Sequence, residues 1–93
     1  MNREDLFAIC TEILSEVLHV PRESIHPKSN IMLDLGGDSL DLLRLSVRIE
    51  ERFNLRLSDD DLVGVQTVDD MMSHLERKLT EGAADEIPFS GRN

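Results

Sequence analysis

The residue types and spacings that could do chemistry are concentrated in one short stretch, Asp34-Leu35-Gly36-Gly37-Asp38-Ser39-Leu40. Two adjacent glycines let the chain turn tightly, and Asp38 is a good helix cap, which places a serine at the first helical position. A hydroxyl there faces solvent beside backbone N–H groups that the helix itself leaves free. Such a helix start suits an anionic substituent, a phosphate on Ser39 above all. Gly-Gly-Asp-Ser is also ordinary loop and cap chemistry, so the stretch by itself leaves both readings open.

Competing chemistries find less support. A serine hydrolase needs a base within reach of Ser39 and an oxyanion hole. The hydrolases whose family name Gly-Asp-Ser-Leu spells need a much longer α/β chain, and Asp70 and His74 have three residues between them where that family has two. Asp59-Asp60-Asp61 lacks the alternating oxygen ligands, central glycine and terminal glutamate of a calcium loop. His19, His26 and His74 fall in different elements and are expected on the surface. A single cysteine, Cys10, makes neither an internal disulfide nor a structural zinc site, and its place on an apolar stripe predicts burial. No catalytic residue and no metal ligand emerges.

The elements that must position Ser39 are helical. Leu6, Cys10, Ile13, Leu14 and Val17 recur at helical steps and predict a helix over 4–19, capped by Asn2 and ended by Val20-Pro21. A connection over 20–38 follows, with Ile25, Ile31, Met32, Leu33 and Leu35 expected to anchor it. The second helix starts at Asp38 or Ser39 and runs to Phe53, with Leu42, Leu45, Ile49 and Phe53 toward the core. Leu40, Leu43 and Val47 occupy the neighbouring sector, expected to face away from the other helices. Ser58 caps a short third helix through its acidic first turn, and Thr67 with Asp70 caps a fourth that Gly82 should end. The expectation is an all-α four-helix bundle, three longer helices and one short, with a long loop between the first two. Residues 1–81 form the domain and 82–93 a disordered tail.

Composition narrows the partners. At 93 residues there is room for one small domain. The chain is 40% hydrophobic but 3% aromatic, so the core must be Leu, Ile, Val and Met. A net charge of −9 repels phosphate backbones and anionic lipids, which argues against nucleic-acid or membrane-surface binding and for proteins with basic patches. The longest apolar run near the N-terminus, Leu6 to Cys10, is far below the roughly 18 residues that span a bilayer, so a soluble cytoplasmic protein is expected.

At Asp38-Ser39-Leu40, preceded by Asp34-Leu35-Gly36, the sequence resembles the acyl carrier proteins and their carrier-domain relatives. The resemblance covers residues 3–80 and includes the serine-headed second helix, the Asp59-Asp60-Asp61 segment and the Thr67-Val68-Asp69 helix start. It implies a carrier and not an enzyme. A magnesium-dependent phosphopantetheinyl transferase would esterify Ser39 with 4′-phosphopantetheine from coenzyme A, with Gly37, Asp38 and Leu40 around the attachment point. The arm's thiol would hold an acyl group as a thioester for acyl-loading, acyl-modifying and acyltransferase enzymes. Leu40, Leu43, Arg44, Val47, Arg48 and Glu51 are the expected partner interface of a monomeric protein.

The second helix departs from the family's acidic pattern. Arg44, Arg48 and Arg52 balance Asp41, Glu50 and Glu51, either as a solvated face with pairs along the helix, Arg48 beside Glu51 and Arg52, or as an altered partner code. Ser46, near the core sector, is expected to bond back to a helical carbonyl or to line an acyl pocket. The altered charge favours a specialised fatty-acid, lipid or polyketide pathway. Gly36-Gly37 keeps an aminoacyl or peptidyl cargo open, and an unmodified helical adaptor shares the fold. A chain that opens on Met1 and holds one domain favours a free-standing carrier.

Overall fold

The computed structural model describes the backbone of residues 2–92 and the side chains of residues 2–80 apart from that of Asp59. Four α-helices follow in order: α1 (Arg3–Leu18), α2 (Ser39–Phe53), α3 (Asp59–Leu62) and α4 (Val68–Arg92), with a 3₁₀ turn at Arg22–Ser24. Among the described residues, the β pairing is limited to one isolated antiparallel bridge, Asn30 with Thr67.

Each helix start is fixed by a side chain that answers a free backbone donor. The Asn2 side chain accepts from the Asp5 amide at 2.8 Å. Asp38 and Asp41 form a reciprocal capping box at α2, as Ser58 and Asp61 do at α3. At α4, Thr67 Oγ1 accepts from the Asp70 amide while Asp70 accepts from the amides of Gln66 and Thr67, all at 3.1 Å. Those two amide donors hold the Asp70 carboxyl below its usual range. α1 and α2 end on non-glycine residues in the left-handed region, His19 (φ 58°) and Asn54 (φ 54°), so α1 stops two residues before Pro21. α4 runs through Gly82 to Arg92. The backbone is therefore helical through Arg92, where the sequence expects Gly82 to end the helix and a tail to follow over 82–93, and the side chains beyond residue 80 lie outside the described residues.

The core is aliphatic, as the composition requires. Leu6, Cys10, Leu14, Ile31, Val68 and Leu75 are fully buried, and Ile13, Leu45, Ile49, Met71 and Met72 complete the packing of α1, α2 and α4. Leu42 and Phe53, expected in that core, are half-buried at its margin. The Thr11 hydroxyl is buried with no hydrogen-bond partner among the described residues.

The long loop is held by three of its five apolar residues. Ile25, Ile31 and Leu35 are buried, whereas Met32 and Leu33 are exposed. The reason is local. Asn30 Oδ1 accepts from the amides of Met32 and Leu33 at 3.0 and 2.9 Å, and Asn30 O accepts from the Asp34 amide at 2.8 Å. This tight turn throws residues 32 and 33 outward. Backbone bonds from Ile31 N to Gln66 O and from Val68 N to Ser29 O, at 2.9 and 3.0 Å, then tie the loop to the start of α4.

Candidate functional site

The loop delivers Ser39 to the first position of α2, and both Ser39 and Leu40 are exposed there. Asp38 is extended (φ −115°, ψ −175°), and its Oδ1 accepts from the Asp41 amide at 2.9 Å while Asp41 Oδ2 accepts from the Asp38 amide at 3.2 Å. Asp38 therefore works as a cap, with its carboxylate committed to the helix. The amides of Ser39 and Leu40 have no acceptor among the described residues, so a phosphate on the serine oxygen would meet open donors.

The two glycines have different tasks. Gly36 adopts φ +78°, a left-handed conformation that suits glycine. Gly37 is buried and donates its amide to Ile31 O at 2.9 Å. A Cβ on it would lie 3.1 Å from Ile31 O and 3.2 Å from Leu18 Cδ2. Gly37 thus pins the serine loop to the bundle, and this close approach favours a glycine there.

On α2 beside Ser39, Leu40, Leu43 and Val47 are each about half exposed, as their sector predicts. The arginines are placed differently from the expectation of pairs along the helix. Arg48 reaches Glu16 of α1 at 2.5 Å, and Arg52 reaches Glu12 of α1 at 3.0 Å, with Arg22 on the same Glu12 at 3.6 Å. Arg44 pairs within its helix, 3.7 Å from Asp41. Glu51 is exposed with no ion partner among the described residues.

A cavity of about 30 Å³ lies along the other side of α2, under Leu42, Ser46 and Ile49, closed by Leu62 and Val65 of the 58–65 segment and by Leu75 of α4. Its surface is almost wholly carbon. Ser46 lines it and donates to Leu43 O at 2.7 Å, the bond back to a helical carbonyl that the sequence expects. At the cavity wall His74, half-buried where the sequence predicts a surface residue, places Nε2 2.9 Å from Asp61 Oδ1, and Lys78 Nζ lies 3.5 Å from Asp61 Oδ2. Bonds from Ser58, then the His74 bond and the Lys78 charge, lower the Asp61 carboxyl from 3.8 to about 2. The contact was missed because residues 61 and 74 sit in different helices at no periodic spacing. Cys10 offers no second reactive centre: burial pushes its thiol up to about 12.

Ser39 thus stands exposed at a capped helix start, on an aliphatic bundle that holds a small cavity. Residues 11–75 match the family described as PP-binding, phosphopantetheine attachment site. The acyl carrier protein of Thermotoga maritima is 37% identical to this chain over 78 residues, which cover 84% of this chain and 96% of that protein. The chain belongs to the acyl carrier protein family, whose members carry a phosphopantetheine group and are not catalysts. Among the described residues, no helix is long and apolar enough to cross a membrane.

Proposed function

We propose that Ser39 is the attachment residue for 4′-phosphopantetheine, and that the chain carries apolar acyl intermediates in a specialised fatty-acid, lipid or polyketide pathway. The observation that carries this reading is the exposed Ser39 hydroxyl at the first position of α2. When bound, the prosthetic arm supplies a thiol that holds the acyl group as a thioester. The chain's own residues do the rest. Asp38 fixes the helix start, Gly37 holds the loop against Ile31, and the open amides of Ser39 and Leu40 would receive the phosphodiester. Magnesium and coenzyme A belong to the phosphopantetheinyl transferase, which delivers the arm.

The carbon-lined cavity supports an alkyl cargo. Because close packing accounts for Gly37, the Gly-Gly pair adds nothing in favour of an aminoacyl group. Leu40, Leu43 and Val47 form the docking face for acyl-loading and acyl-transferring enzymes of the cytoplasm, with Arg44 as its charged member. Arg48, engaged with Glu16, and Glu51 lie at its edge, and the carrier works as a monomer.

The test is intact mass before and after incubation with coenzyme A, magnesium and a broad-specificity phosphopantetheinyl transferase, with Ser39→Ala in parallel. A phosphopantetheine-sized gain in the unsubstituted protein alone is expected. A gain in both proteins would move the attachment site, and a gain in neither would favour the unmodified adaptor. Loading the modified protein with octanoyl or with aminoacyl groups then compares the cargoes, and Arg44→Glu should raise loading by general fatty-acid synthesis enzymes.

A further inference from the structure

The wall of the cavity over residues 58–65 carries Leu62 and Val65 and is fastened at both ends. Before it, the Leu57 amide donates to Glu50 Oε2 at 2.7 Å, and after it the Ile31 amide donates to Gln66 O at 2.9 Å. Between those points, among the described residues, the polar link from this segment to another helix runs through the Asp61 carboxylate to His74 and Lys78 of α4.

We propose that the contact of Asp61 with His74 and Lys78 is a latch that holds the 58–65 wall shut over the cavity, and that its release admits the acyl chain. This rests on the carrier reading for what enters, but not for the latch itself. The direction of the bonds can be worked out. A guanidinium only donates, so Arg77, 3.0 Å from His74 Nδ1, requires that nitrogen to accept. Nε2 therefore bears the proton and donates to Asp61 Oδ1. Arg77 thus selects the tautomer that closes the latch, and Ser58, donating its amide to Asp61 Oδ2 at 2.6 Å, aims the carboxylate. The three side chains are only 15–27% exposed, so the contact is screened less than the pairs on the outer surface. The wall it holds is otherwise weakly bound: Leu62 and Val65 are half-buried, and Val63 is exposed.

Amide hydrogen exchange on the unmodified protein decides the latch, because the Val63 and Val65 amides are bonded within the segment, to Asp60 O and Leu62 O, and are freed when the wall leaves α4 and unwinds locally. His74→Phe should speed exchange at both amides about tenfold while leaving Leu14 and Ile49 unchanged, and His74→Gln, which keeps a donor, should restore part of the protection. Unchanged exchange at residues 63 and 65, or an equal rise in α1 and α2, would overturn the proposal. With octanoyl on the arm, His74→Phe should also slow thioester cleavage by hydroxylamine several-fold, because the released wall admits the chain and shelters the thioester. Faster exchange without slower cleavage would overturn the admission of the chain, whereas a Ser39 that takes no arm would defeat the carrier reading and leave the exchange result standing.

Discussion

The two seams of this bundle are built differently. Where α1 meets α2 and α4, Leu6, Cys10, Leu14, Val68 and Leu75 are fully buried, and ion pairs from Arg48 and Arg52 to Glu16 and Glu12 line the outside. Where α2 meets α3 and α4, Leu42, Leu57, Leu62 and Val65 are half-buried around a small cavity. A protein that must stay folded while making room for a chain needs both. The first seam supplies cooperativity, and the second yields without loss of the fold. Ser39 stands at the start of α2, the helix the two seams share.

Core truncation should break the comparison most clearly. Leu14→Ala in the closed seam is expected to cost about 2–5 kcal/mol, against about 1 kcal/mol for Leu62→Ala in the yielding one. Equilibrium denaturation of both variants measures the difference, and equal losses would dissolve the distinction between the seams. Next comes the hinge between loop and bundle. Gly37→Ala forces a methyl to 3.1 Å from a backbone carbonyl, Ile31 O, that is itself bonded to residue 37. A loss of about 1–3 kcal/mol is expected, read from the same denaturation curves. An unchanged midpoint would mean that the loop shifts freely and that Gly37 does not position Ser39.

What the sequence made legible follows from range. Helix caps, stripes and the serine loop are local patterns, so Asn2, Asp38, Ser58 and Thr67 are found as caps, and Leu40, Leu43 and Val47 as an exposed sector. The loop anchors were partly legible, because hydrophobicity names five candidates while the hydrogen bonds of Asn30 decide which face inward. Contacts between helices were not legible. Charge pattern along α2 gave neighbours for Arg48 and Arg52 on the same helix, yet the side chains reach across to α1, and nothing periodic connects Asp61 to His74. The family resemblance singled out Ser39 as the serine to test, and the packing around it had to be seen in three dimensions.

Acid should separate the seams by a smaller amount. The Asp61 carboxyl is lowered from 3.8 to about 2 by partners in the folded state. Its stabilising effect is therefore complete above pH 3.8 and is lost as pH falls through about 2. Asp61→Asn, which mimics the protonated form, should be less stable than the unsubstituted protein at pH 7. The gap should close over that acid window. Thermal unfolding followed by circular dichroism at several pH values would show it, and a gap that persists at pH 2 would mean that the carboxylate's charge is not what stabilises α3.

The smallest effects belong to the ion pairs outside the closed seam, and they bear on whether α2's arginines face partners or α1. Arg48 and Glu16 are each about half exposed, so Arg48→Ala should cost at most about 1 kcal/mol. That cost should vanish near 1 M salt, where screening acts over about 3 Å. Arg52→Ala should cost less still, because Glu12 retains Arg22 at 3.6 Å when Arg52 is removed. Both losses are read from denaturation midpoints at low and high salt. Among the described residues Arg44 has its ion partner, Asp41, on its own helix, so removing it should leave the midpoint unchanged while altering acyl loading. If Arg48→Ala instead changes loading and leaves stability untouched, Arg48 serves partners in solution, and burial of the aliphatic core alone holds α1 against α2.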